Sequence, residues 1–308
     1  MNVKVIKIDP RLNLFMLFYP SFILPMFNIQ EDKAIKLWGE CRGLVIIKED
    51  SKLVIKHSDR VCLDYADEIL GFWSIPSRFD VIEKRYREFL EILVSEYSWF
   101  GIATSPLDDV EIFSSIFLSQ NTDFHVNVVK WVRNIMEKYG SIEALTSLEL
   151  ADIVKCIGGS YQVLNLVHAL KQYLMYRDHL LKKNPEEVIT YMLKIKGVGP
   201  KVSHAYLVFV RKLTIYAPID RNLISFLRNF DVTFDLIANA PKKGYCIRYP
   251  CGTCPINIGC TYYRVRNAFK VFAAWVQTVA YIHSKLMCKP KLCHRCFLNK
   301  ICMVYTST

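Results

Sequence analysis

The chain has 308 residues, 52% of them hydrophobic and 13% aromatic, with 12 glycines and 12 prolines; this is a globular composition with room for two domains, and it excludes a disordered chain. Lysine and arginine (40) exceed aspartate and glutamate (29), for a net charge of +11. That balance favours polyanionic partners, nucleic acid ahead of an acidic membrane, although a solvated basic surface has the same signature.

Residues 1–75 read as a β-rich domain. VKVIKI alternates, and LVIIKEDSKLVIKH is two β-branched strands around a polar turn of Glu49, Asp50 and Ser51. The run LNLFMLFYPSFILPMF (12–27) is broken by Pro20 and Pro25 and falls short of the roughly 20 residues that span a bilayer. It is expected in the core, and no membrane partner is expected. It also lacks the basic flank and small-residue cleavage site of an export signal. Eleven cysteines in such a chain point to a reducing compartment and to metal ligation. Cys41, Cys62 and Cys156 sit among apolar neighbours and are expected as core residues.

From residue 76 the apolar spacing changes to three and four. FDVIEKRYREFLEILVSEY (79–97), DVEIFSSIFLSQ (109–120), FHVNVVKWVRNIMEKY (124–139), VLNLVHALKQYLMY (163–176) and PEEVITYMLKI (185–195) predict a helical array, a second domain over 76–230. Residues 231–308 form a third, cysteine-rich region. The fold class is α+β, mainly α.

In KGVGPKVSHAYLVF (196–209), Gly197, Val198 and Gly199 form a tight turn and Pro200 opens a helix over 200–211. Helix, turn and helix make a helix-hairpin-helix whose exposed amides suit a DNA phosphate. An ordinary glycine-bearing helical hairpin has the same pattern, and the GxxxxGK[ST] spacing of a nucleotide-binding loop is absent. Lys201 stands at the positive end of its helix dipole. If partly buried there, it would become an amine nucleophile able to form a Schiff base; a lysine on a phosphate fits the same place. Asp220, after Pro218, opens a helix with the stripe Leu223, Phe226, Leu227 and Phe230. It suits an N-cap, and beside a nucleophilic amine it also suits stabilisation of positive charge at a sugar carbon whose glycosidic bond is breaking.

The cysteines repeat. Cys246, Cys251, Cys254 and Cys260 are spaced Cx4Cx2Cx5C, and Cys288, Cys293, Cys296 and Cys302 repeat that spacing unchanged. Each tetrad suits a structural zinc or a [4Fe-4S] cluster.

Three stretches, IKGVGPKVSHAYLVF, APID and FLSQNTDFHVNVV, together resemble segments of the helix-hairpin-helix (HhH-GPD) DNA glycosylases, which include endonuclease III and the 8-oxoguanine DNA glycosylases. The resemblance covers residues 109–302 and, more loosely, the N-terminal β region. It implies an all-helical glycosylase core with a small N-terminal antiparallel β domain and C-terminal cluster loops. It also implies a monomer acting on damaged double-stranded DNA in a cytoplasmic, nucleoid-associated location. Lys201 takes the place of the catalytic lysine of bifunctional members and Asp220 that of the essential aspartate. Gly197, Val198 and Gly199 become the DNA-docking turn, Gln120 the residue that fills the gap left by the extruded base, and Tyr161 a wedge into the duplex.

In FAAWVQTVAYIHSKL (272–286), Gln277 and Tyr281 share a helix face. They match the glutamine that reads the base edge and the ring that stacks on it in 8-oxoguanine enzymes. His125 and Gln162 stand where those enzymes have arginines facing the opposite cytosine. The Cx2Cx5C of each tetrad is similar to that of endonuclease III. This implies a [4Fe-4S] cluster at Cys288–Cys302 and a second cluster or a zinc at Cys246–Cys260. Lys289, Lys291 and Arg248, set between cysteines, would meet phosphates. The implied activity is excision of an oxidised base, 8-oxoguanine favoured, with strand nicking through a lysine Schiff base. The alternatives are an endonuclease III-like enzyme for oxidised pyrimidines and a monofunctional enzyme for alkylated or deaminated bases.

Overall fold

A computed structural model describes residues 1–305 of the chain. The alternating and β-branched stretches form strands β1 (Asn2–Lys7), β2 (Phe27–Gln30), β3 (Lys33–Lys36), β4 (Val45–Glu49) and β5 (Lys52–His57). They pair antiparallel in the order β1-β5-β4-β3-β2. Asp50 turns β4 into β5 with φ of 49°, a left-handed conformation that aspartate tolerates. The pleat puts Ala34, Ile46, Leu53 and Ile55 on the covered face, whereas Val3 and Val5 of the edge strand β1 face outward. The apolar run at 12–27 is core, as expected: helix α1 (Leu14–Phe18) and a 3-10 turn at Leu24–Met26 bury Leu14, Leu17, Phe18, Ile23 and Met26.

Cys62 is a core residue and Cys41 packs against the core, as expected, but the two are also joined in a disulfide. Val45 pairs with Lys56, so the loop entering β4 and the turn leaving β5 meet at one end of the sheet. That end brings the two sulfurs together.

The helical array comprises α2 (Lys84–Tyr97), α3 (Asp109–Leu118), α4 (Val129–Tyr139), α5 (Leu150–Ile157), α6 (Tyr161–Lys182), α7 (Pro185–Lys194), α8 (Pro200–Phe209) and α9 (Arg221–Arg228). Two features differ from the periodicity. Residues 124–139 are not one uniform helix, because Asp123 caps the Val126 amide at 2.9 Å and starts a π-helical turn, Phe124–Val128, ahead of α4. Helix α5 lies outside the predicted segments, since with only Ile153 and Ile157 buried its stripe is too short to register.

Helix α3 is buried along its whole length, the mark of a central helix. Its N-terminal end carries three buried carboxylates, Asp108, Asp109 and Glu111, of which the first two have a charged partner. Asp108 meets Lys36 of β3, which ties the sheet to the bundle, and Asp109 meets Arg177 of α6 at 2.6 Å. Partnering of this kind is what makes buried charge tolerable.

The cysteine-rich region adds α10 (Lys243–Arg248), α11 (Thr261–Phe269) and α12 (Ala273–His283), the last prolonged by a π-helical turn at Ser284–Cys288. Helix α12 is mostly buried and packs against α9. One cluster of buried side chains runs from Leu12 to Leu298, so sheet and helices share a core. No described helix is long and apolar enough to cross a membrane.

Candidate active site

The hairpin turn has the backbone its glycines require. Gly197 has φ of +83°, and a Cβ there would stand 2.9 Å from Phe117 Cζ. Gly199 is extended, caps α8, and would place a Cβ in open space. Pro200 occupies the first turn, where its missing N–H costs nothing. Val198 is buried beneath the turn. The amides at the start of α8 thus face outward around an open glycine, the arrangement that suits an anion.

Lys201 and Asp220 line one cavity of about 510 Å³, together with Gln120, Gln277, Tyr281 and Lys289. The remaining wall is largely aromatic or small, with Phe22, Phe124, Phe209 and Ala205. Asp220 caps α9 by accepting from Leu223 N at 2.8 Å, and its second oxygen accepts from Gln277 Nε2 at 3.0 Å. Burial pushes its carboxyl above the ordinary value. The Leu223 amide, the charge of Lys201 and the side chains of Gln277 and Asn222 pull it back. Cap and cavity-facing carboxylate are therefore one residue with two oxygens in use. Lys201 is exposed at the mouth, so the partial burial that would activate it is not supplied by the protein alone.

Gln277 does not stand free to face a base with its amide nitrogen. A carboxylate only accepts, so its contact with Asp220 fixes which end of the Gln277 amide points there. Tyr281 lines the cavity and its hydroxyl is hydrogen-bonded to His125 Nε2 at 2.9 Å. The His125 ring stacks on Tyr19, with centroids 3.8 Å apart. Burial, and after it the charge of Lys285, lowers the His125 imidazole to about 4, against a smaller opposing effect of Asp123. His125 is thus neutral at neutral pH and backs Tyr281 from outside the cavity lining. Gln162 is also committed: it is buried and donates to the Gln120 carbonyl at 3.1 Å. Both side chains are thus engaged within the protein at the places where 8-oxoguanine enzymes have arginines.

Gln120 lies at the cavity lip but folds back, with Nε2 donating to Phe117 O at 3.0 Å. Tyr161 opens α6, is 56% exposed and lies beside Asn121, whose Nδ2 is 3.4 Å from its hydroxyl. Of the two expected gap-filling residues, Gln120 therefore lines the cavity and Tyr161 lies outside its lining, beside the next residue along the chain. Lys289 reaches the cavity, while Lys291 lines the hollow of the second tetrad.

Nothing in the sequence singled out Tyr19, Phe22, Phe209, Asn222 or Lys285. The first two fall in the apolar run, where a cavity wall and a core look alike. Lys285 had a signal, because Tyr281, Lys285 and Lys289 follow at intervals of four along one helical face.

Each tetrad rings one hollow. Cys246, Cys251, Cys254 and Cys260 line one with Tyr245, Tyr249 and Tyr262. Cys288, Cys293, Cys296 and Cys302 line another, of about 380 Å³, where His283 Nε2 lies 3.5 Å from Cys296 Sγ. Among the described residues no group of three or more His, Cys, Asp or Glu side chains stands ready to hold a single metal ion. Four cysteines around a hollow are the donor set of a structural zinc or of a [4Fe-4S] cluster, and the hollow of about 20 Å³ at the first tetrad is far smaller than that of about 380 Å³ at the second.

No protein-family model and no curated protein matches the chain. Solved structures do. A Clostridium acetobutylicum 8-oxoguanine glycosylase/lyase in its apo form aligns with a TM-score of 0.66 at 16% identity, over 92% of this chain and 96% of that one. The same enzyme in complex with double-stranded DNA containing cytosine opposite 8-oxoG aligns with a TM-score of 0.63 at 16% identity, over 88% and 91%. A 3-methyladenine DNA-glycosylase from Archaeoglobus fulgidus aligns with a TM-score of 0.62 at 13% identity, over 92% and 99%. Sheet and helical bundle thus share, over 88–92% of the chain, the fold of these solved glycosylases.

Proposed function

We propose that the protein is a DNA glycosylase with lyase activity that removes an oxidised base, 8-oxoguanine favoured, from double-stranded DNA. The observation that carries this reading is the convergence of Lys201 and Asp220 on one cavity, at the start of a helix whose preceding turn suits a phosphate. A cavity of about 510 Å³ is within the usual range for a small-molecule site, and a base must leave the stack to enter it. Phe22 and Phe209, in edge contact at 4.8 Å, and Tyr281 supply faces for stacking.

In this reading a duplex laid over the mouth covers the Lys201 amine and removes it from water. Lys201 Nζ, having lost a proton, attacks C1′. The bond from C1′ to the base nitrogen breaks, and the base leaves with its electron pair and takes up a proton. Asp220 stabilises the positive charge that develops on the sugar. Opening of the sugar ring gives the Schiff base, and loss of a C2′ proton expels the 3′ phosphate, which nicks the strand. Gln277 holds Asp220 in place and turns its own oxygen to the base. Each cysteine tetrad would hold a thiolate-bound centre that supplies structure and no electrons to the reaction. Burial pushes the Cys246 and Cys288 thiols up to about 11 and Cys251 to about 12, so binding a metal there releases protons.

The test is borohydride trapping on a panel of duplexes containing 8-oxoguanine, thymine glycol, uracil or an alkylated base, with base release and nicking scored separately. A covalent adduct is expected with the 8-oxoguanine duplex, and Lys201→Ala abolishes it. An adduct that survives in this variant removes Lys201 from the chemistry. Likeness to the 3-methyladenine enzyme supports a second reading, excision of alkylated bases without a lysine adduct; base release without nicking would favour it.

A further inference from the structure

The segment that carries the first tetrad leaves and rejoins the fold at one place. Asn239 N donates to Gly259 O at 3.0 Å, and Thr261 N donates to Asn239 O at 2.9 Å. Between these ties the chain has little apolar filling of its own. Lys242, Lys243, Tyr245, Arg248, Tyr249 and Pro250 are exposed, and the side chains turned to its hollow include all four cysteines. A unit this small needs a staple to hold one shape, and four cysteines around one hollow are the chemistry for it.

From both ends of that unit, contacts run to the helix-hairpin-helix. On the entering side, α10 packs against α7, and Lys243 Nζ donates to the Val198 carbonyl in the middle of the turn at 2.8 Å. On the leaving side, Tyr262, two residues past Cys260, stacks on His204 of α8 with ring centroids 3.6 Å apart, both rings buried. Arg266 of α11 then pairs with Glu186 of α7 at 3.2 Å. The turn and both its helices are thus touched by residues at the two ends of the loop, Lys243 within it and Tyr262 and Arg266 on the core helix that follows it.

We infer that Cys246, Cys251, Cys254 and Cys260 hold a thiolate-bound metal centre that braces the hairpin turn, and with it Lys201, from behind the DNA-facing side. Lys243 is the positioning residue that transmits the brace to the turn. The inference rests on the glycosylase reading only for what the turn does, not for whether it is braced. The shared chemistry is four thiolates on iron or zinc.

Three forms of the full chain decide it: wild type, Cys251→Ser/Cys254→Ser, and Lys243→Met. Iron and zinc are counted per chain with the visible spectrum, hydrogen exchange is followed at the amides of residues 195–204, and affinity is measured for an undamaged duplex. The double variant is expected to lose one centre. Loss of iron and visible absorbance marks a cluster, and loss of zinc with an unchanged spectrum marks zinc. Its turn amides exchange roughly tenfold faster, and its duplex affinity falls roughly tenfold.

Lys243→Met keeps its metal and loosens the same amides. A double variant with the wild-type metal count overturns the centre. A metal-depleted variant, or a Lys243→Met protein, with wild-type exchange at the turn overturns the brace. If the double variant does not fold, Lys243→Met alone decides the brace. Should the wild type release no base from any lesion, the glycosylase reading fails while the exchange measurements still decide the brace.

Discussion

Asp220 shows how much of the site is set by single contacts. Four influences favour its ionised form, the Leu223 amide, the charge of Lys201 and the side chains of Gln277 and Asn222, against burial that disfavours it. Replacing Gln277 by Leu removes one of them, so the carboxyl rises further and the acid limb of single-turnover excision moves to higher pH; an unmoved limb would show that Gln277 does not hold the carboxylate. Asp220→Asn keeps the cap but removes a buried charge. Because the folded-state carboxyl lies above 3.8, its contribution to stability is complete below that value and is lost as pH rises through the raised one. The Asn variant should therefore melt higher than wild type at pH 7 and no higher at pH 3, while excision falls roughly 10²- to 10³-fold. That Lys201, Asp220 and Gln277 line one cavity accords with the glycosylase resemblance of the segments that carry them, which spacing alone would not have brought together. Phe22 was not legible, since nothing in an apolar run separates a residue facing a cavity from one facing the core.

At the scale of elements, the two turn glycines should behave differently. Gly197→Ala meets a positive φ and the Phe117 ring, and should cost about 1–3 kcal/mol of stability in chemical denaturation. Gly199→Ala meets neither, and should leave the melt unchanged while a methyl group under the docked phosphate weakens duplex binding. Helix α3 carries a second contrast. Burial, then Asp108, pushes the Glu111 carboxyl up to about 7, with smaller contributions from Glu143 and Asp109. The associated stability is complete only below pH 4.5 and is lost as pH rises from there through about 7. Glu111→Gln should thus match wild type at about pH 3 and exceed it at about pH 9, by up to about 3 kcal/mol. Most long helices could be read from their stripes, but the π-helical turns at 124–128 and 284–288 could not, because one extra residue per turn leaves the apolar spacing almost unchanged.

Over the whole molecule, a net charge of +11 predicts duplex affinity that falls steeply with salt, and Lys289→Ala, at the cavity mouth, should flatten the slope of log K against log salt by about 1. An unaltered slope would take Lys289 off the phosphate track. The order of sheet, bundle and cysteine-rich region was readable from changes in period along the chain. The pairing of Cys41 with Cys62 was not, because it follows from strand register, which brings together loops 21 residues apart. That proximity has a consequence for biogenesis. Both members of the pair leave the ribosome long before Cys246 is translated, so where a thiol oxidant such as another disulfide takes up their two electrons and two protons, an early N-terminal sheet closes this bond while no tetrad thiol yet exists to compete. Vectorial synthesis thereby separates in time two sulfur chemistries that a refolding chain, with all eleven thiols present at once, would have to sort from a mixture.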